Sequence, residues 1–214
     1  MNQQQFIQRY QRLVREVNDG DAALLAVSKY APDEAVQILI DAGHRQFGES
    51  RPQSLRDRAE CWPDCAWHMI GPVQKNKAKY IGRHAAMWHS CENLETAKLV
   101  AKYVSGRSLP VLIQVNVAHA PGQHGVNPEL VPAFAESLSQ IQGLRLDGLM
   151  CMAPRDGDAR TAFQTVRNLR DELFGGSLSV LCMGMSGDYQ IALQEGATMV
   201  RLGSILFGDW DIRN

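Results

Sequence analysis

The feature that most constrains this chain is a rhythm: short apolar runs alternate with amphipathic stretches from end to end. The apolar runs are Leu24–Lys29, Gln46–Ser50, Trp67–Gly71, Ala86–Ser90, Val111–Val117, Leu146–Met152, Ser179–Met183 and Met199–Gly203. Helical patterns lie between them. Pro32 opens one that carries Val36, Leu39 and Ile40 and closes at Gly43, and Pro52 opens another through Glu60. Others are expected over Val73–Ile81, after Asn93 as a cap, and over Pro128–Gln140, Asp158–Phe174 and Asp188–Gln194. A further helix, Asn2 to Val17, precedes the first run. Strands that alternate with helices specify a parallel sheet. Eight such units favour a closed barrel over an open dinucleotide-binding sheet, and no GxGxxG follows the first run. The expected fold is α/β: a single (β/α)8 TIM barrel over residues 1–214 with an extra N-terminal helix. No Pro/Ser-rich linker or low-complexity tract divides the chain.

Composition removes several function classes. A net charge of −1 gives a polyanion nothing to bind, so no nucleic-acid partner is expected. Lys75, Lys77 and Lys79 cluster, but Gln74 and Asn76 interrupt the run, and a solvated helix face is the expected reading over a phosphate contact. The polar, Gln-rich start has no signal-peptide core, and no apolar stretch reaches membrane-spanning length. The five cysteines lack metal-ligand spacing; Cys151 and Cys182 sit in apolar runs as small core residues. A reduced, cytoplasmic setting is expected.

In such barrels chemistry sits at the C-terminal ends of the strands. Those ends carry Lys29, Glu49-Ser50, Gly71, His89-Ser90, Asn116, Met185-Ser186-Gly187-Asp188, and Arg201 with Gly203-Ser204. Lys29 follows five apolar or small residues, so its amine leaves a buried strand over the barrel mouth. A desolvated or cation-flanked lysine is a nucleophile for aldehydes, whereas a lysine at a strand end also simply snorkels to water. Phosphate is commonly held by the loops after strands seven and eight. There Ser186-Gly187 and Gly203-Ser204 let backbone N–H groups approach an oxyanion. An amine and an anion cup at one mouth suit a phosphorylated aldehyde. Pyridoxal 5′-phosphate and an aldolase's sugar phosphate both answer that description.

Leu25-Ala26-Val27-Ser28-Lys29, Phe47-Gly48-Glu49, His68 to Lys77, Met183 to Asp188 and Val200-Arg201-Leu202-Gly203 together resemble the pyridoxal phosphate homeostasis protein family, in family order, from about Leu24 to Gly208. The resemblance implies the fold of the alanine racemase N-terminal domain. It implies pyridoxal 5′-phosphate as cofactor, with Lys29 as the Schiff-base lysine and Ser186, Gly187, Gly203 and Ser204 around the phosphate. It also places Arg201 against the pyridine nitrogen, with Ser50 and His68 as further cofactor contacts. It implies a role in vitamin B6 homeostasis and in amino-acid and keto-acid balance, as a monomer that hands the cofactor to apo-enzymes. The chain departs from the family at Ser50, where Asn is common, and at Ala120 and Gln123, where an acidic residue and a lysine are common.

A carrier is expected rather than a fast enzyme. Carbanion chemistry on this cofactor works best when a carboxylate keeps the pyridine nitrogen protonated, and an arginine, always charged, does not; this argues against fast decarboxylation or transamination but leaves racemisation open, because alanine racemase-like enzymes also use an arginine. Only six residues follow Gly208, so no second domain of the kind racemases carry is expected. Tyr30, His68 and His89 are the nearest candidate acid–base groups, each with packing as its commoner use. The alternatives are a weak pyridoxal phosphate-dependent amino-acid racemase, a metal-free aldolase using Lys29, and an interaction scaffold with a vestigial site.

Overall fold

The computed structural model describes residues 2–118, 124–154, 157–175 and 179–208. Eight parallel strands close into a barrel in sequence order: β1 (Ala23–Val27), β2 (Gln46–Glu49), β3 (Ala66–Met69), β4 (Met87–Cys91), β5 (Leu109–Val115), β6 (Leu144–Cys151), β7 (Val180–Cys182) and β8 (Met199–Leu202). Closure is made by β1 on β8, with Leu25 opposite Arg201. The helices between strands are α2 (Asp33–Asp41), α3 (Pro52–Cys61), α4 (Ala78–His84), α5 (Leu94–Ala101), α6 (Val131–Ser139), α7 (Ala159–Phe174) and α8 (Tyr189–Gln194). They follow α1 (Gln3–Asp19), and a short α9 (Ser204–Phe207) comes last.

Strand alternation sorts the core into two clusters. Leu25, Leu112, Met150, Cys182 and Met199 fill the barrel interior, with Ala23, Ile70, Met87 and Val180 packed against them. A larger cluster, including Phe47, Trp67, Trp88 and Val111, lies between sheet and helices. The N-terminal helix has a structural reason. Among the described residues the helix after β8 is the four-residue α9, too short to cover this side of the barrel by itself. Phe6, Tyr10, Leu13 and Val17 on one face of α1 are buried there, against β1, α2 and α9. Tyr189 Oη donates to Glu16 at 2.5 Å and ties α8 to α1.

Two local signals act as the sequence suggests. Asn93 caps α5 by accepting the Thr96 N–H at 2.9 Å, and Pro52 starts α3. The helix expected over Val73–Ile81 is shifted. Pro72 restricts the backbone before it and Gln74 is still extended, so a 3-10 turn (Lys75–Lys77) precedes α4. The helix then runs on through Gly82 to His84, and the close approach of α4 and α5 requires the glycine there: a Cβ on Gly82 would meet the Val100 carbonyl oxygen at 2.6 Å. Lys77 and Lys79 pack their ammonium groups over Tyr80 on this outer face. Cys91, Cys151 and Cys182 are buried thiols, and all five cysteines are free. Among the described residues, no helix is long and apolar enough to cross a membrane, and no group of three or more His, Cys, Asp or Glu is placed to hold a metal.

Candidate functional site

Lys29 lies two residues past the end of β1. Alternation along that strand turns Leu25 and Val27 inward and Ser28 outward, so Lys29 faces the mouth. The Ala31 N–H donates to the Ser28 carbonyl at 2.8 Å and closes a turn across Lys29. Behind the turn, Ser28 Oγ donates to Glu49 Oε1 at 2.6 Å, and Arg58 Nε lies 3.2 Å from the same oxygen. Burial pushes the Glu49 carboxyl up, against the pull of Ser28 and Arg58. The Lys29 ammonium sits 5.0 Å from the centre of the Tyr30 ring, and Tyr30 is 58% exposed at the rim.

At the C-terminal end of the barrel lies a cavity of about 630 Å³, inside the range of ~300–1,000 Å³ that small-molecule sites occupy. Lys29, Ser50, Ser186, Gly187, Arg201, Gly203 and Ser204 all line it. The turn after β7 and the start of α9 are joined where the Ile205 N–H donates to Ser186 Oγ at 3.2 Å. A Cβ on Gly187 would meet nothing within 4 Å, so its backbone is open on that side. Asp188 fixes the same turn by accepting the Met185 N–H at 2.6 Å.

Arg201 forms part of the floor and is locked there. Its Nη1 donates to the Cys182 carbonyl at 3.0 Å and lies 3.2 Å from Cys182 Sγ, and its Nη2 donates to the Cys151 carbonyl at 2.8 Å. At 4% exposure it is a fixed cation in the barrel interior. Among the described residues, no carboxylate lines the cavity.

His68 is set apart from the other expected residues. It does not line the cavity; it is buried in the barrel, with Nδ1 2.8 Å from Nε2 of His89. Its neighbours Trp67 and Met69 pack outward, which turns the imidazole inward, yet it does not reach the cavity. Burial holds His68 at a pKa of about 4, and burial with nearby His68 and Arg201 holds His89 well below the ordinary histidine value. Of the candidate acid–base groups, Tyr30 alone reaches the cavity; His68 and His89 form this neutral pair instead.

Two polar lining residues escaped the sequence reading. Gln114 points inward from β5, and its Nε2 donates to the His124 carbonyl at 3.3 Å. His124 lies on the loop after β5, 2.7 Å from Glu92, and Glu92 also accepts the Gly125 N–H. Inward alternation along β5 marks Gln114, whereas nothing local marks His124, whose partner is remote in sequence. Ala120 and Gln123, the departures in this loop, lie outside the described residues.

Comparison with known proteins follows the same lines. The sequence model of the alanine racemase N-terminal domain matches residues 1–211. The pyridoxal phosphate homeostasis protein of Aquifex aeolicus is 34% identical, over 95% of this chain and 94% of that protein. Its counterpart from Pseudomonas aeruginosa is 39% identical, over 88% and 84%. Among solved structures, PipY of Synechococcus elongatus without pyridoxal phosphate superposes with a TM-score of 0.86 at 32% identity, covering 95% of this chain and all of that one. The same protein with pyridoxal phosphate bound gives 0.82. An alanine racemase of Clostridium difficile shares the fold at a TM-score of 0.74 and 14% identity, over 91% of this chain and 55% of that one.

Proposed function

The chain belongs to the alanine racemase N-terminal domain family, among the pyridoxal phosphate homeostasis proteins, and from that premise we propose that it binds pyridoxal 5′-phosphate reversibly and serves its intracellular homeostasis. One observation carries the reading. A single cavity brings together an amine, Lys29; a locked cation, Arg201; and two small-residue turns, Ser186-Gly187 and Gly203-Ser204. These groups fit the aldehyde, the ring nitrogen and the phosphate of that cofactor. When bound, the cofactor supplies an aldehyde that forms a reversible Schiff base with a primary amine. Lys29 presents that amine at the rim. The two turns would hold the phosphate through backbone N–H groups and the Ser186 and Ser204 hydroxyls, and Ser50 lines the same cavity. His68, paired with His89 inside the barrel, does not line the cavity and is given no contact with the cofactor in this reading.

Arg201 also argues against fast decarboxylation or transamination. With its guanidinium committed to the Cys151 and Cys182 carbonyls, it stays charged and fixed, and it would offer a bound cofactor's ring nitrogen no carboxylate to hold a proton there. The cavity lining supplies no carboxylate to do otherwise. Tyr30, Met152 and Met185 are exposed at the mouth, which suits exchange with acceptor apo-enzymes. Five free cysteines suit a cytoplasmic setting, and the reading needs no second subunit.

Borohydride reduction of the reconstituted protein, followed by peptide mass mapping, tests this. The label is expected on Lys29 and is expected to vanish in Lys29→Ala. Undiminished labelling in that variant rules the assignment out. Prolonged incubation with L-alanine tests the racemase alternative, which requires D-alanine to accumulate.

A further inference from the structure

Phe47-Gly48-Glu49 is one of the motifs that mark this chain, yet Glu49 does not reach the cavity. It is 1% exposed, outside the barrel wall and directly behind Lys29. Arg58, on α3, holds the turn from both ends. Its Nε meets Glu49, which accepts from Ser28 at the start of the turn. Its Nη2 donates to the Ala31 carbonyl at 2.7 Å at the other end and lies 3.2 Å from Asp33 Oδ1. The guanidinium lies 5.7 Å and 6.0 Å from the rings of Trp62 and Trp67, so it has little room to leave.

We infer that Glu49 and Arg58 are positioning residues: they clamp the Ser28–Ala31 turn and thereby hold the Lys29 amine over the cavity. The inference rests on the pyridoxal phosphate reading for what that amine is used for. The physical reason is the alternation of the strand. Ser28 must face the helices for Lys29 to face the mouth, and the buried Ser28–Glu49 bond fixes that choice. Lys29 itself is exposed, with a long flexible stem, so the protein orients it through its backbone. Releasing the turn adds the cost of ordering one such side chain on binding, which corresponds to about a tenfold loss in affinity for an amine-reactive ligand. A ligand that does not engage the amine has no such loss.

The test compares two phosphorylated ligands on the full chain. Arg58→Met keeps an apolar stem beside the tryptophans and removes the clamp; Ser28→Ala releases it from the other end with little change in volume. In both variants, pyridoxal 5′-phosphate is expected to bind about tenfold more weakly, while pyridoxine 5′-phosphate, an alcohol in place of the aldehyde, binds as before. In the ligand-free chain, hydrogen exchange at the Ala31 amide is expected to accelerate, with β5 and β6 unchanged. Glu49→Gln keeps an acceptor at Oε1 for Ser28 and Arg58 and is expected to lose less affinity and less Ala31 protection than Glu49→Leu, which removes it. Equal weakening of both ligands, or unchanged exchange at Ala31, overturns the clamp. Failure of the unsubstituted protein to bind either ligand overturns the cofactor reading instead, while the exchange result still decides the clamp.

Discussion

Acidification should unfold this protein through histidines that are buried neutral. His44 is enclosed between α1 and β2, with Nε2 2.6 Å from the Gln46 carbonyl and Nδ1 3.3 Å from Tyr10 Oη. The first contact requires Nε2 to carry the proton and leaves Nδ1 to accept from the tyrosine. Burial holds His44 at a pKa of about 4, with Arg45 adding repulsion against the pull of the Gln46 bond. His68 is held at about 4 by burial alone. In the unfolded chain both return to about 6.5. Between those values the unfolded chain binds more protons, so stability is full above pH 6.5 and is lost as the pH falls toward 4. At about 1.4 kcal/mol per pH unit, each histidine accounts for up to about 3 kcal/mol at the bottom of that window. Together they approach a large part of a typical domain's ~5–15 kcal/mol. Urea unfolding followed by the fluorescence of buried Trp67 and Trp88 should show the midpoint dropping steadily from pH 6.5 to 4.5. His44→Gln, which keeps a donor and an acceptor, should flatten the slope by about one proton. A midpoint independent of pH across this range, or a His44 ring resonance titrating near 6.5 in the folded state, would refute the reasoning.

Two glycine substitutions probe the barrel and the proposed phosphate seat separately. Gly148→Ala would place a Cβ 1.8 Å from the Val180 carbonyl oxygen where β6 pairs with β7, so a loss of more than about 3 kcal/mol is expected in chemical denaturation. Gly187→Ala meets no protein atom, so stability should stay within about 0.5 kcal/mol of the parent. If Gly187 lines the phosphate seat, titration with pyridoxal 5′-phosphate should nonetheless show weaker binding in that variant; unchanged binding would remove Gly187 from the seat.

The barrel was legible because its determinants are local. Apolar runs, Pro32, Pro52 and Asn93 each act over a few residues, and the eightfold repeat leaves little choice of topology. The strand-end rule also put Lys29, Arg201 and both small-residue turns at the end of the barrel where they line the cavity, since position along a strand fixes which end a residue occupies. Depth within the barrel was not legible. Alternation turns His68 inward, but whether an inward residue reaches the mouth depends on the stagger of the neighbouring strands. The β4–β5 pairing, for example, shifts register between Trp88 and Cys91. His124 and the Arg58 clamp were hidden for a different reason. Each depends on a partner about thirty residues away or on the packing of α3, and neither leaves a periodic trace in the sequence.

The same arrangement bears on which chemistry the barrel mouth can support. Catalysis on such a cofactor needs a proton acceptor beside the reacting carbon and a ring that accepts electrons. Here Arg201 is a cation pinned by two carbonyls, and His68 and His89, which do not line the cavity, are kept neutral by burial. Placing a carboxylate at position 201 would not convert the site. Arg201→Glu would set an anion against the Cys151 and Cys182 carbonyl oxygens that now accept hydrogen bonds, leaving both unpaired in the interior. A loss of several kcal/mol is expected in denaturation, before any gain in turnover could be read. The charge of the floor is therefore tied to the integrity of β6, β7 and β8. A well-folded Arg201→Glu variant with native stability would break that link.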